Sequence, residues 1–404
     1  MEDKRSEARR DTLVVVSNVG ARRADGTLFL DRKFATGMEA YAALWPGPVC
    51  CVLPQAKESG PFAATFDQDK LSFAVHLVDP GRGLAPPEDG LAAAAVVLAS
   101  GDAAQGIALV AAVTASGAKL VYTIENTLKT RLQILFLEGG SLAHRMKEVL
   151  AALYLEVRRR RAFGRADGLQ ANGYPAWRAY GAGHASGMSY LDGRVTEALL
   201  VTEAEQAARA ERVASDAPLR LVHSGRLEPI KGALDLVDLA RYLKARRVPF
   251  TLDIFGTGSL EAEMAEGFAA LNLDDRVRFH GALDFETELI PRLRREGDLF
   301  VSCHRQSDPS CTYLETFGCG IPVVGYANAM LTPLAEASGA AEVVPMADTH
   351  ALAERIAALN ADRARLATLS EQAAAFAAAH PFEAEFRRRI EHLAGVAGLA
   401  LSDG

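Results

Sequence analysis

Short apolar runs alternate with Ala- and Leu-rich stretches along the whole chain. Residues 12–17, 48–53, 73–77, 94–99 and 119–124 are apolar almost throughout, where a half-exposed strand would alternate. Continuous runs of this kind suit strands of a parallel sheet covered on both faces. The pattern predicts a long helical region over 127–163 and one more short strand over 167–171. After Asp216-Ala217-Pro218 it restarts, with strands predicted at 219–224, 250–255, 277–280, 299–303, 322–324 and 341–344 and helices between them. Two successive β/α arrays predict an α/β chain of two doubly wound domains and argue against one closed barrel. The acidic, Ala-rich stretch 202–215 lies near the boundary, giving an amino-terminal domain over 1–200 and a carboxyl-terminal domain over 201–381. The tail 348–401 is helical in period, and Pro381 divides it. Its last helix, 382–401, reads on its own as carboxyl-terminal packing.

A chain of 404 residues accommodates two to three domains of roughly 150 residues. With 49% hydrophobic and 24% charged residues it has an ordinary globular composition. The formal charge of −7 gives no support to non-specific nucleic-acid binding, so no such partner is expected. The most apolar stretch, 91–100, is too short for a bilayer span, which needs about 18 residues. The first eleven residues are charged and lack the apolar core of a secretory signal. Five cysteines without a CxxC pair predict a reducing, cytoplasmic setting. Cys303, Cys311 and Cys319 recur every eight residues, but no zinc-type His/Cys spacing accompanies them, so they read as buried thiols and no metal site is expected.

Candidate chemistry concentrates in two stretches of the second half. In the first, Leu221-Val222-His223-Ser224-Gly225-Arg226-Leu227-Glu228-Pro229-Ile230-Lys231-Gly232 joins a strand to a helix through a glycine turn. Carboxyl ends of such strands bind ligands in open α/β sheets, and a helix amino terminus favours phosphate. There Arg226 can fork two phosphate oxygens and Lys231 adds a compact second charge. Each pair is worth about 4 kcal/mol before desolvation. The same two residues could instead belong to a solvated loop. The second stretch runs from Ser307 through Asp308, Ser310, Cys311, Thr312 and Glu315 to Gly320 and Pro322. Asp308 and Ser310 are candidate caps for a helix over 311–319, whose first amides would face a ligand. Glu315, one turn in, needs a partner if buried; paired ribose hydroxyls or a neighbouring backbone could supply one. His280 and His304 fall at strand ends, whereas His223 reads as core. In the first half, Ser17-Asn18-Val19-Gly20 ends the first strand, and residues 31–41 begin a helix. Four arginines at 158–161, with Arg22, Arg23, Arg32 and Lys33, could meet anionic lipid headgroups or a lipid diphosphate, or form a solvated face.

Taken in order and spacing, four motifs resemble retaining glycosyltransferases of family 4 over residues 219–345. They are Gly225-Arg226-Leu227 with Lys231-Gly232, Phe255-Gly256-Thr257-Gly258, Val277-Arg278-Phe279-His280-Gly281, and Leu314-Glu315-Thr316-Phe317-Gly318 running on to Val324. The resemblance implies a GT-B fold, two Rossmann-like domains facing a cleft, with no cofactor beyond the nucleotide-sugar co-substrate and no obligatory metal. It implies that Arg226 and Lys231 hold the donor diphosphate, that Glu315 holds the ribose, and that the backbone near Phe279 and His280 reads the base. Gly20, Gly225 and Gly256 join that donor set, and the last helix is expected to cross back to the amino-terminal domain. Two departures stand out. The family's paired glutamates lie seven residues apart; Glu315 fits the second, but Ser307 occupies the first, with Asp308 one residue off. Either Asp308 takes that role, or Ser307, Ser310 and Thr312, with Cys311 among them, contact the donor sugar. Where the family often has a histidine facing the sugar, this chain has Glu125, which could orient acceptor hydroxyls, act as a base, or cap the next helix. The implied activity is hexosyl transfer, with retention, from a UDP- or GDP-linked sugar to a saccharide or lipid-linked saccharide in surface polysaccharide assembly. The implied location is cytoplasmic, with peripheral contact at the inner membrane face in reach. A nucleotide-sugar epimerase of the same fold and a non-catalytic nucleotide-sugar-binding protein are the alternatives.

Overall fold

The computed structural model describes residues 10–24, 26–58, 60, 63–79, 83–137, 141–307 and 309–401. The chain forms two compact units, one of Met1–Thr127, Leu150–Tyr190 and Glu383–Gly404, the other of Leu128–Val149 and Leu191–Phe382.

The strands of the first unit are β1 (Thr12–Val16), β2 (Arg22–Ala24), β3 (Thr27–Asp31), β4 (Val49–Pro54), β5 (Ala63–Asp67), β6 (Ala74–Val78), β7 (Ala94–Ser100), β8 (Lys119–Ile124), β9 (Gly168–Asn172) and β10 (Gly187–Tyr190). Seven form a parallel sheet in the order β10-β9-β8-β7-β1-β4-β6. The central β1 is buried along its whole length, as its continuous apolar run requires. A small antiparallel sheet, β2-β3-β5, stands apart from it and was not expected from the sequence. The expected helical region 127–163 is, among the described residues, two helices, Leu128–Leu137 and Leu142–Phe163. The terminal helix Phe382–Ala397 packs within the first unit from Glu383 on. Arg389 Nε donates to Gln170 Oε1 at 3.0 Å, and Gln170 Nε2 returns a bond to the Arg389 carbonyl at 2.9 Å. Phe386 meets Tyr41 with ring centroids 5.4 Å apart.

The second unit holds β11 (Leu219–Ser224), β12 (Phe250–Phe255), β13 (Val277–Phe279), β14 (Leu299–Ser302), β15 (Val323–Tyr326) and β16 (Ala341–Val344). All pair in parallel in the order β13-β12-β11-β14-β15-β16. The chain builds outward from β11 in one direction and then restarts at β14 in the other. The β11/β14 pair is therefore the switch point, where loops diverge and leave a crevice at the carboxyl ends. Within residues 202–215 lies the helix Glu203–Ala214, opened by a reciprocal capping box between Thr202 and Glu205. Its Arg209 is buried and donates to the carbonyls of Gly297, Gly320 and Arg294 at 2.7–2.9 Å. Burial lowers that guanidinium to about 10, and the three carbonyls keep it satisfied.

Candidate functional site

At the carboxyl ends of β11 and β12 two glycine turns lie backbone to backbone. Gly225 N–H donates to the Phe255 carbonyl at 3.0 Å, and Gly256 N–H to that of Gly281 at 2.7 Å. At φ +118°, a Cβ on Gly256 would stand 2.0 Å from the Gly225 carbonyl oxygen, so no other residue fits. Leu227 N–H reaches the Thr257 carbonyl at 3.0 Å, zipping the two loops together. Glu228 adds a second clasp, accepting from Ser259 N–H at 3.0 Å and Oγ at 2.6 Å. Those bonds, with Arg226 nearby, hold the Glu228 carboxyl below its usual range. Arg226 thus stands exposed on a stiffened loop.

Lys231 ends the 3₁₀ turn Pro229–Lys231, and only 7% of its surface is open. Gly232 follows in the left-handed region at φ +64°, where a Cβ would lie 2.1 Å from the Cys303 carbonyl oxygen. That close approach presses the turn onto the end of β14, and Arg305 N–H completes the join at the Ile230 carbonyl, 3.1 Å away. Two buried imidazoles flank the lysine. Burial, with Lys231 close by, lowers His223 to about 4 and His304 well below its usual range, so both are neutral. His223 Nδ1 donates to the Val301 carbonyl at 3.0 Å. His304 is carried by Tyr313, whose hydroxyl lies 3.3 Å from Nδ1 and also meets Ser302 Oγ and Asn328 Nδ2 at 3.2 Å.

The helix Cys311–Gly318 begins at Ser310, which makes no side-chain cap, leaving its first amides unblocked by that hydroxyl. Cys311 is half-buried with Sγ 3.6 Å from Asp192 Oδ2, and Thr312 accepts at its carbonyl from Thr316 Oγ1 at 2.6 Å. Glu315 is 5% exposed. Its partner, not foreseen from the sequence, is Arg194, whose Nε donates to Oε1 at 2.8 Å. The Arg194 guanidinium lies 3.8 Å over the Phe285 ring. This acid is already paired, and its pair is 39% open on the arginine side.

The other candidates stand as follows. Ser307 Oγ accepts from Ala329 N–H at 3.2 Å, its own N–H donates to Gln133 Oε1 at 3.2 Å, and its carbonyl accepts from Thr130 Oγ1 at 3.4 Å. It therefore ties the helix Leu128–Leu137 to the loop after β14. Asp308 lies outside the described residues. The Phe279 ring packs edge-on against Phe268. His280 stacks on Phe255 at 4.7 Å between Asp253, 2.6 Å from Nε2, and Arg292, 2.9 Å from Nδ1. Arg292 can only donate, so Nδ1 accepts and the Nε2–H points at Asp253. The His280 N–H and Gly281 carbonyl are engaged with Ile254 and Gly256, so those two groups are not open to a base. Gly20 and Glu125 belong to the first unit, beyond the carboxyl ends of β1 and β8. The Glu125 and Asn126 N–H groups both donate to Asp102, at 2.7 and 3.1 Å. Among the described residues no cluster of three His, Cys, Asp or Glu side chains could hold a metal ion, and no helix is long and apolar enough to cross a membrane.

Comparison with known proteins gives this geometry a setting. Residues 218–362 match the family described as Glycosyl transferases group 1. The amylovoran biosynthesis glycosyltransferase AmsK of Erwinia amylovora is 28% identical over 187 residues, 43% of each chain. WcaL of Escherichia coli (strain K12), named for colanic acid biosynthesis, is 28% identical over 155 residues, 35% of this chain and 36% of WcaL. The chain thus spans about two fifths of the curated relatives it matches. In structure it is similar to Anabaena Alr3699/HepE in complex with UDP, with TM-score 0.66, 17% identity and coverage of 95% of this chain and 99% of that one. It is also similar to WaaG, a glycosyltransferase involved in lipopolysaccharide biosynthesis, with TM-score 0.61, 13% identity and coverage of 95% and 100%. The chain has the GT-B fold, and residues 218–362 of its second unit are similar to the group 1 glycosyl transferases.

Proposed function

We propose that this chain is a glycosyltransferase that moves a hexosyl group, with retention, from a nucleoside diphosphate sugar to a saccharide or lipid-linked saccharide during polysaccharide assembly. One observation carries the reading: an exposed arginine on a glycine-locked loop and a buried lysine five residues on both follow β11 at the sheet's switch point, in a segment that matches the group 1 glycosyl transferases. Crystal structures of HepE hold UDP and UDP-glucose, which supports a uridine nucleotide as the donor here. The names of AmsK and WcaL support polysaccharide synthesis as the setting. Five free cysteines suit a reducing, cytoplasmic compartment.

In this reading negative charge builds on the leaving diphosphate as the glycosidic bond breaks, and Arg226 and Lys231 offset it. The loop is fixed before the substrate arrives, so little reorganisation accompanies the reaction. Glu315 accepts from the ribose hydroxyls through the carboxylate oxygen that Arg194 leaves open. Glu125 works on the acceptor side, and the reading includes no metal; the Asp-x-Asp triplet 67–69 closes an antiparallel strand and starts a surface turn, which supports that part of it. Titration calorimetry and turnover with UDP-, GDP- and ADP-sugars, with and without EDTA, test the reading. Expected is micromolar binding of one nucleotide class, at least tenfold weaker in Arg226→Ala and Lys231→Ala, and turnover that survives the chelator. No binding by any donor, or equal affinity in both variants, overturns it.

A further inference from the structure

The helix Leu128–Leu137 and the turn after β16 border a cavity of about 620 Å³, in the size range of small-molecule sites, and every residue lining it belongs to the second unit. Its walls are apolar. Leu128, Leu132 and Phe136 recur every four residues and so share one face of the helix, and Met346 joins them from the turn. Phe136 and Met346 leave 56% and 40% of their surface open. Ala347, next to Met346, stands at φ +60°, in the left-handed region that only three non-glycine residues adopt among those described. A turn strained in this way, carrying an exposed methionine into the same cavity as an exposed phenylalanine, marks a contact surface.

The polar groups around the cavity are all donors. Lys129, Gln133 and Arg305 line it, and no Asp or Glu does among the described residues. Gln133 Oε1 already accepts from Ser307 N–H at 3.2 Å, so its Nε2 group is the end left to donate. Arg305 gives Nε and Nη2 to Asp235, at 3.1 and 2.5 Å, and retains Nη1. No acceptor holds Gln133 Nε2, Arg305 Nη1 or the Lys129 ammonium among the described residues. Three donors without acceptors call for a ligand that supplies acceptors. Its charge follows from the ion pairs: Asp235 offsets Arg305, which leaves Lys129 as the uncompensated charge on the described lining. A single negative charge matches it, and apolar walls that exclude water from one side strengthen the attraction over that of a solvated pair.

We propose that this cavity binds a medium-chain alkyl carboxylate, its chain along Leu128, Leu132, Phe136 and Met346 and its head accepting from Lys129, Gln133 and Arg305. An alkyl phosphate carries about 1.5–2 negative charges at neutral pH and suits one ammonium less well. The proposal does not depend on which reaction the second unit performs.

Titration calorimetry of the full chain with hexanoate, octanoate and decanoate, below their micellar range, tests it. Expected is one site per chain, with affinity rising at least about fivefold for each added pair of methylenes; full burial at about 0.8 kcal/mol per CH₂ sets a ceiling of about fifteenfold. Decanol and decyltrimethylammonium should bind at least about tenfold more weakly than decanoate. Lys129→Glu and Met346→Glu should each lose at least about tenfold in decanoate affinity with an unchanged melting temperature, because both side chains are exposed. If either variant melts early, Lys129→Gln or Met346→Ser serves in its place. No binding of decanoate, no dependence on chain length, or equal affinity in the variants overturns the proposal. So does equal binding of decanol, which would make the cavity an indifferent apolar patch. Decyl phosphate binding at least about tenfold more tightly than decanoate overturns it as well, since the site would then be built for a dianion. Nucleotide affinity measured on the same preparations reports separately on the proposed reaction.

Discussion

Replacing Glu315 with Gln should weaken both the empty protein and its hold on a nucleoside diphosphate sugar, and the two losses are separable. The amide keeps the volume and an acceptor for Arg194 but removes the charge. A charge-assisted bond worth about 1.5–3 kcal/mol becomes a neutral one worth about 0.5–1.5. Because the arginine side of the pair is 39% open, water absorbs part of the difference. The expected cost to the empty protein is about 1 kcal/mol, or about 2–4 °C in melting temperature for a domain of this size. If ribose hydroxyls also donate to this carboxylate, donor affinity falls by a further 1.5–3 kcal/mol, roughly tenfold to more than a hundredfold. Arg194→Met supplies the opposite perturbation. It strands a carboxylate that is 5% exposed, so stability should drop by about 3 kcal/mol, while an acceptor for ribose remains. Urea unfolding measures the first quantity, and calorimetry with UDP and 2′-deoxy-UDP measures the second. Glu315→Gln should lose most of the parent's preference for ribose, and Arg194→Met should keep it. Equal preference in parent and Glu315→Gln, or equal loss of donor affinity in both variants, would mean that Glu315 serves Arg194 alone.

Three further outcomes are expected. Gly256→Ala forces a Cβ to 2.0 Å from the Gly225 oxygen at a positive φ, so it should cost on the order of 3 kcal/mol, visible in thermal unfolding; a loss within about 0.5 kcal/mol would mean the two turns are not locked. Arg159→Met removes a buried guanidinium that holds Asp102 and two carbonyls and should cost about 3–5 kcal/mol in urea unfolding, whereas Arg161→Gln on the exposed side should stay within about 0.5 kcal/mol. His223, lowered to about 4, takes up a proton far less readily in the folded state than at its usual value near 6.5 in the unfolded chain. Stability is therefore whole above about pH 6.5 and declines as pH falls toward 4, by roughly 3 kcal/mol for this residue. Urea midpoints at pH 7, 6 and 5 should decline less steeply in His223→Gln, and parallel profiles would refute the assignment.

How much of this was legible in the sequence depended on how far apart the causes lie. The strands β1, β4 and β7 are buried almost throughout, so a continuous apolar run announces each of them locally. In contrast β3, Thr27-Leu28-Phe29-Leu30-Asp31, is the middle strand of a small antiparallel sheet and buries alternate residues, those on one face of that sheet. A search tuned to two-sided burial passes over it. The strand β10 reads Gly187-Met188-Ser189-Tyr190 with one fully buried side chain, which gives periodicity nothing to register. The helical region after Thr127 is described as Leu128–Leu137 and Leu142–Phe163, and the sequence between them holds the pair Gly139-Gly140, a signal that composition averaged over a long window hides.

The site divides along the same line. Gly225, Arg226, Lys231 and Gly256 belong to single strand–turn units, so short motifs locate them. Arg194 reaches Glu315 across 121 residues and Gln133 reaches Ser307 across 174, and no local pattern encodes either bond. The electrostatics of Lys231 require three segments at once: its own turn, His223 in β11 and His304 just beyond β14. Burial beside an ammonium makes a second and third positive charge unfavourable, so both imidazoles stay neutral. One cation then sits in a largely dry surround at the sheet's switch point, with low-dielectric groups rather than water at its back. An anion entering there is attracted more strongly than it would be in solvent. If phosphate binds there as proposed, the histidines contribute through the charge they do not carry, and substituting either with lysine should weaken nucleotide binding in calorimetry by repelling Lys231 rather than strengthen it by adding positive charge.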